Sequence, residues 1–264
     1  MGERTSYTNG MFSWVENATT DQDGAKSFYA TLFGWEYDDR TVGEGMVYSM
    51  AQIDGKAVAA ISPQMYDERE RGIPPHWNNY ITVENVDAVT AKVAELGGQV
   101  LAEPFDVMDA GRMSAFMDPT GAVAYLWQAR DNIGADLVNV AGAFCWNELA
   151  TRDVETAERF YSQLFGWKFD RAGQTEEPAY WMIVNGDRLN GGMRGIGDEL
   201  PPEAPSHWLV YFGVDDAEAT SELAAGAGGQ VLLPKFSMGD SGAFAVLSDP
   251  AGASFAVFEG RLDD

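Results

Sequence analysis

Ala25, Phe28, Tyr29, Leu32 and Phe33 fall at i, i+3, i+4, i+7 and i+8, one apolar stripe of a helix. Asp21 stands where such a helix is capped, and Gly34 suits the position just past its end. The runs WEYDDR, MVYSMAQI and KAVAAIS that follow read as strands. A Pro-rich loop ends in PPHW, then a strand NNYITV leads into VDAVTAKVAEL, whose Val86, Val89, Val93 and Leu96 again share one face. Gly97 and Gly98 stop that helix, and QVLAEPF, RMSAFMD and VAYLWQA read as three more strands, with DPTG as the turn before the last. The order is βαβββ, twice.

The chain then writes this whole pattern again. FSWVENATTD returns as FCWNELATRD, SFYATLFGW as RFYSQLFGW, and HWNNYITVENVDA as HWLVYFGVDDAEA. LGGQVLAEPF returns as GGQVLLPKF and DPTGAVAYLW as DPAGASFAVF, at an offset of 131 or 132 residues throughout. A constant offset over so many blocks is the mark of a duplicated domain, and two copies of this length are not a solenoid. The expected organisation is a first domain over 1–130, a linker over 131–140 (DNIGADLVNV) and a second domain over 141–264. The fold class is α+β: four βαβββ modules in two domains, each a curved, mixed, mostly antiparallel sheet with its helices outside. The concave inner face is where a ligand is expected.

Paired βαβββ modules with a D…FY…LFGW first helix and a DPxG turn before the last strand resemble the vicinal oxygen chelate (VOC) superfamily of glyoxalases, extradiol dioxygenases and bleomycin-resistance proteins. The tandem arrangement is similar to glyoxalase-like or hydroxylase-named actinomycete proteins, some of which accompany anthracycline biosynthesis. That resemblance implies a divalent ion held by His, Gln or Glu on inward strand positions. Those positions fall here on Trp14, Asn78 and Tyr125 in one half, and on Trp146, Leu209 and Ala256 in the other. An indole is a donor only and cannot coordinate a metal. Glu16 and His76 lie two residues from the nominal places, on the same face by period-two alternation, whereas Gln128, three away, belongs on the opposite face. A metal could be held only if Glu16, His76, Glu148 and His207 converged between halves meeting face to face. The expectation is that no metal or other cofactor is bound.

The candidate ligand-binding set is therefore Phe12, Trp14, Glu16, His76, Asn78, Tyr80, Tyr125 and Trp127 in the first half. In the second it is Phe144, Trp146, Glu148, His207, Leu209, Tyr211 and Phe258. Flat rings with a few polar groups suit a planar aromatic ligand, although the same rings could simply fill a core. Glu16 and Glu148 could equally cap backbone groups, and the two histidines follow proline-containing loops, where a structural hydrogen bond is the plainer role. NGGMRGIGDELPPEAP lacks the strand-then-helix setting of a dinucleotide site and reads as a loop over the cleft.

Charge narrows the partners. With 41 acidic against 17 basic residues, a net charge of −24 repels nucleic acid and anionic membranes and mildly favours a cationic ligand. The opening MGERTSYTNG has neither the basic nor the apolar stretch of a secretory signal, and the single cysteine, Cys145, can form no internal disulfide. A cytoplasmic protein is expected, with Cys145 an inert buried thiol, and a monomer by internal pseudo-dimer or a weak homodimer. The function expected from these residues is metal-free binding of a bulky planar aromatic molecule, of antibiotic or polyketide type, for sequestration, protection or hand-off. The competing readings are a divalent-metal glyoxalase or isomerase and a cofactor-free, hydroxylase-like tailoring enzyme.

Overall fold

The computed structural model describes residues 2–42, 45–172, 179–197, 201 and 204–262. The first half runs β1 (Phe12–Thr19), α1 (Gln22–Phe33), β2 (Glu36–Val42), β3 (Met46–Ile53), β4 (Lys56–Pro63), α2 (Tyr66–Glu70), β5 (His76–Thr82), α3 (Val86–Glu95), β6 (Gln99–Val107), β7 (Gly111–Met117) and β8 (Val123–Ala129). The second runs β9 (Phe144–Thr151), α4 (Val154–Phe165), β10 (Lys168–Ala172), β11 (Tyr180–Asn185), β12 (Arg188–Gly195), β13 (His207–Gly213), α5 (Ala217–Gly226), β14 (Gln230–Ser237), β15 (Ala243–Ser248) and β16 (Ser254–Glu259). Each half is one eight-stranded sheet, ordered β2-β3-β4-β1-β5-β8-β7-β6 and β10-β11-β12-β9-β13-β16-β15-β14. The two modules of a half join where β1 meets β5, and β9 meets β13, antiparallel. Each cleft therefore belongs to one half.

Caps stand where the residue types place them. Asp21 accepts from Gly24 N at 3.0 Å and Asp153 from Thr156 N at 3.0 Å, while Gly34 and Gly166 end their helices at φ 70° and 79°. The short α2 falls within the Pro-rich stretch read as loop; its single turn carries no apolar stripe to announce it. NGGMRG differs from expectation: Asn190–Gly195 lies in β12, against β9 and β11, because small residues let the strand pass beneath Tyr180. A side chain at Gly192 would collide with the Tyr180 hydroxyl. Within the rest of that stretch, 198–200 and 202–203 lie outside the described residues.

One apolar core runs through both halves. Phe212 sits 5.0 Å from Phe33 and 5.1 Å from Trp77, Phe255 5.4 Å from Tyr29, and Phe12 4.9 Å from Trp208. Two polar chains cross the same seam. Trp77 Nε1 donates to Tyr29 Oη at 3.0 Å, which donates to Asp249 Oδ2 of the other half at 3.1 Å. Trp208 Nε1 donates to Tyr161 Oη at 3.0 Å, which donates to Asp118 Oδ2 at 2.9 Å. Trp35 and Trp167 each give their indole N–H to a backbone carbonyl of the opposite half, at Gly142 and Gly10. The stretch expected as linker is itself pinned: Ala135 is fully buried and Asp136 accepts from Ala57 N at 3.0 Å. The sheets thus pack back to back, with their concave faces turned outward.

Removing the Tyr29 hydroxyl strips a donor from the buried Asp249 and an acceptor from Trp77. Tyr29→Phe and Tyr161→Phe should each cost about 1–3 kcal/mol in urea unfolding. Because the core is shared, the chain should unfold in one transition; two separated transitions would contradict that.

Candidate functional site in the concave sheet faces

Strand alternation carries Trp14 and Glu16 to the concave face of β1, and the pairing of Trp14 with Tyr80 and Glu16 with Asn78 puts β5 beside them. Tyr125 of β8 lies opposite Tyr80, their rings stacked at 4.8 Å. Around Glu16 the hydroxyls converge. Tyr48 and Tyr80 donate to Oε2 at 2.9 and 3.0 Å, Ser62 donates to Oε1 at 2.7 Å, and the Trp14 indole donates to Tyr48 at 3.0 Å. Glu16 is half-buried and forms no ion pair among the described residues; Arg40, across from Tyr48, is tied to Asp38 at 2.9 Å.

The second half repeats the frame. Trp146 donates to Tyr180 at 3.0 Å, and the hydroxyls of Tyr180 and Tyr211 lie beside Glu148, whose charge they feel. Here, however, Arg194 Nε reaches Glu148 Oε1 at 3.0 Å in place of a serine. Leu209, Tyr211 and Ala256 form an apolar cluster with Trp146, Phe244, Val246 and Phe258, separate from the main core. Cys145 joins it, its thiol donating to Tyr211 O at 3.5 Å and held protonated by burial.

The structure divides the sequence candidates. Trp14, Glu16, Tyr80 and Tyr125 come together, as do Trp146, Glu148, Tyr211 and Leu209, with Asn78, Trp127 and Phe258 on the same strand faces. Phe12 does not join them. The register shifts between Phe12 and Trp14, a bulge at Ser13 that breaks the alternation, and the Phe12 ring packs on Trp167 and Trp208 in the seam. Phe144 is displaced in the same way and belongs to the shared core. The two histidines stand at the end of the same strand faces, opposite Ala18 and Ala150, but touch neither glutamate. His76 Nδ1 is 2.9 Å from Pro74 O with Nε2 3.8 Å from Glu68, and His207 Nδ1 is 3.0 Å from Pro205 O. Gln128 faces the helix side, accepting from Val86 N at 3.0 Å. Tyr48, Ser62, Tyr180 and Arg194 were not among the candidates. The shared offset of Tyr48 and Tyr180 was a signal that could have found the pair.

Two open depressions of about 330 and 360 Å³ lie between helices of the two halves and touch none of these residues. Their polar linings, Asp215, Asp216 and Thr220 in one and Glu95, Thr156, Arg159 and Gln163 in the other, lie at helix surfaces, whereas the hydroxyls that converge on one carboxylate lie on the concave faces.

Residues 12–124 match the model of the Glyoxalase/Bleomycin resistance protein/Dioxygenase superfamily, and residues 145–258 match a Glyoxalase-like domain. The chain belongs to this superfamily. Among glyoxalase-superfamily relatives, "Putative glyoxylase CFP32" of Mycobacterium tuberculosis is 49% identical over 98% of both chains. Anthracycline biosynthesis protein DauV of a Streptomyces species is 32% identical over 97% of this chain and 96% of its own. A Mn(II)-bound glyoxalase from Novosphingobium aromaticivorans shares the fold, with TM-score 0.66 at 17% identity over 100% of this chain and 84% of that one.

The residues of this superfamily member do not fit a metal. Among the described residues no three His, Cys, Asp or Glu side chains gather as ligands. The inward positions carry Trp14, Asn78 and Tyr125, and both oxygens of Glu16 already accept from hydroxyls. The convergence of Glu16, His76, Glu148 and His207 is overturned as well. The halves meet through their convex faces, where Asn147 donates to Asn79 at 2.6 Å, so the two glutamates lie in separate clefts.

Burial, then the glutamate charge, raises the pKa of Tyr48, Tyr80, Tyr180 and Tyr211 well above 10.0. Folded-state values above the unfolded one mean stability that is present below pH 10.0 and lost as pH rises beyond it. In an alkaline titration, tyrosinate absorbance from these rings should therefore appear together with unfolding. Their smooth ionisation in the folded protein would contradict the burial.

Proposed function

We propose that this chain binds a small organic molecule with a flat aromatic part on the concave faces of its sheets, held by rings and carboxylates instead of a metal ion. Its role on this reading is to sequester, protect or hand on that molecule. The observation that carries the reading is the Trp14–Tyr48–Glu16–Tyr80 frame, repeated as Trp146–Tyr180–Glu148–Tyr211. Each frame contains the tryptophan, Trp14 or Trp146, that stands where the family resemblance implies a metal ligand. Rings give stacking surface, and a carboxylate fixed by hydroxyls gives orientation without needing to reorganise. The DauV relative, named for anthracycline biosynthesis, supports a ligand of polycyclic aromatic type.

A second reading is turnover. Glu16, half-buried and paired with no cation among the described residues, could take a proton from a bound ligand, and the relative named a glyoxylase favours chemistry of some kind. The two readings share the cleft and differ in whether the ligand emerges changed.

Titration with an anthracycline should quench tryptophan fluorescence, and Trp14→Ala should weaken the quenching at least several-fold. Chelator treatment should leave binding unchanged. No quenching across a panel of planar aromatics would sink the binding reading, and product formation abolished by Glu16→Gln would favour turnover.

A further inference from the structure

The two clefts share a frame but not a polarity. Asn78, opposite Glu16, becomes Leu209, opposite Glu148, and three further exchanges at equivalent register add to this. Ser62, beside Ala18 on β1, becomes Arg194, beside Ala150 on β9, so a neutral donor to the glutamate is replaced by a guanidinium. Tyr125, stacked on Tyr80, becomes Ala256 beside Tyr211. Met113, paired with Trp127, becomes Phe244, paired with Phe258 and 6.0 Å from Tyr211.

Exposure inverts as a result. In the first cleft Trp14 is only 5% exposed while Glu16 is half-buried, so the carboxylate is the more open group. In the second cleft Glu148 is 6% exposed and Trp146 half-buried, so the indole is presented and the charge is covered. The surroundings push the same way. Glu16 is met by Tyr48, Tyr80 and Ser62, all neutral. The positive charge of Arg40 is felt at Tyr48 but is tied to Asp38, and Tyr125 feels Asp67 and Glu68, the latter 3.8 Å from His76. Glu148 is met by Arg194, whose positive charge is also felt by Tyr180 and Tyr211.

We infer that the first cleft selects a protonated amine carried on a flat aromatic molecule, and that the second selects an uncharged flat ring. A cation entering the first cleft meets a carboxylate flanked by ring faces, the pairing that favours ammonium groups. The same cation in the second cleft meets Arg194, which already neutralises Glu148. There the half-buried rings of Trp146, Phe244 and Phe258 offer apolar stacking instead. Ser62 and Arg194 are the residues that set the difference. This assignment rests on the binding reading above.

The test uses the whole chain with two probes, an acridinium dye that is cationic at neutral pH and an uncharged hydroxyanthraquinone, in calorimetric and fluorescence titrations. The cation should bind the unaltered chain at one site, with quenching lost in Trp14→Phe and kept in Trp146→Phe; the neutral ring should show the reverse. Ser62→Arg should weaken the cation at least tenfold and leave the neutral ring's affinity unchanged. Arg194→Ser should add a second cation site. Because that change leaves Glu148 buried without its ion pair and can prevent folding, Ser62→Arg decides the matter if it does. Cation affinity unmoved by Ser62→Arg, or equal cation binding in both clefts, overturns the assignment. So does a neutral ring that binds while the cation does not, an outcome that leaves the binding reading standing. If neither probe binds the unaltered chain, the binding reading falls and takes this inference with it.

Discussion

A tyrosine hydroxyl from one half on a buried aspartate of the other is the interaction on which the arrangement turns. Tyr29 reaches Asp249, and Tyr161 reaches Asp118. Each aspartate also holds its own turn, Asp249 accepting from three backbone amides and Asp118 from two as well as from Thr120 Oγ1. The turn before the last strand of one half is therefore fixed by the first helix of the other. Buried carboxylates are tolerated only when their lone pairs are satisfied, so neither half could present that turn alone without a cost of several kcal/mol. The indole donors of Trp77 and Trp208 complete the chain and bring in the central strands. Duplication here made one folding unit out of two copies.

That tie decides where a ligand can go. With Phe12, Trp35, Phe212 and Trp208 closing the convex side, the remaining free faces of the sheets are the outer, concave ones. The bulges at Ser13 and Cys145 are what let a single strand serve both sides: the residue before the bulge turns into the seam, and the two alternate positions after it turn into the cleft. A strand without the extra residue would have put Phe12 beside Glu16 and left the seam short of a ring.

The fold was legible in the residues because its signals are local and duplicated. Helical stripes, the Asp and Gly caps and the turn before the last strand each follow from spacing, and each appears twice. The clefts were half legible. Alternation correctly placed Trp14, Glu16, Tyr80 and Tyr125 together, but alternation is blind to an inserted residue, which is why Phe12 and Phe144 were assigned to the wrong face. It is blind as well to partners from other strands. Tyr48, Ser62, Tyr180 and Arg194 reach the glutamates only because the first module pairs β4 with β1, and the second half pairs β12 with β9, a register no single strand reveals. The two histidines belong to the expected ligand set, although a structural hydrogen bond was the plainer reading of them. Their residue type suggested chemistry, yet a nearby proline carbonyl takes the ring nitrogen in both copies.

The same signals that carried the family resemblance turn out to serve the seam more than the cleft. Of the D…FY…LFGW and DPxG motifs, Tyr29, Trp35, Tyr161 and Trp167 all spend their polar atoms across the halves, and Phe28 and Phe160 pack there. These tyrosines and tryptophans match between copies, each satisfying a group of the other half, whereas the seam pair Asn147 and Asn79 answers to Val15 and Val210. Residues in the clefts are under no such mutual demand, since the two concave faces never meet. The tyrosine–aspartate and tryptophan–carbonyl ties thus hold one pattern in both copies, while the clefts differ. The pairs Ser62 and Arg194, Tyr125 and Ala256, and Met113 and Phe244 are where that difference is visible, all on cleft-facing strand positions. The repeated tyrosine and tryptophan ties supply a common frame, and the cleft exchanges change the chemistry without touching them.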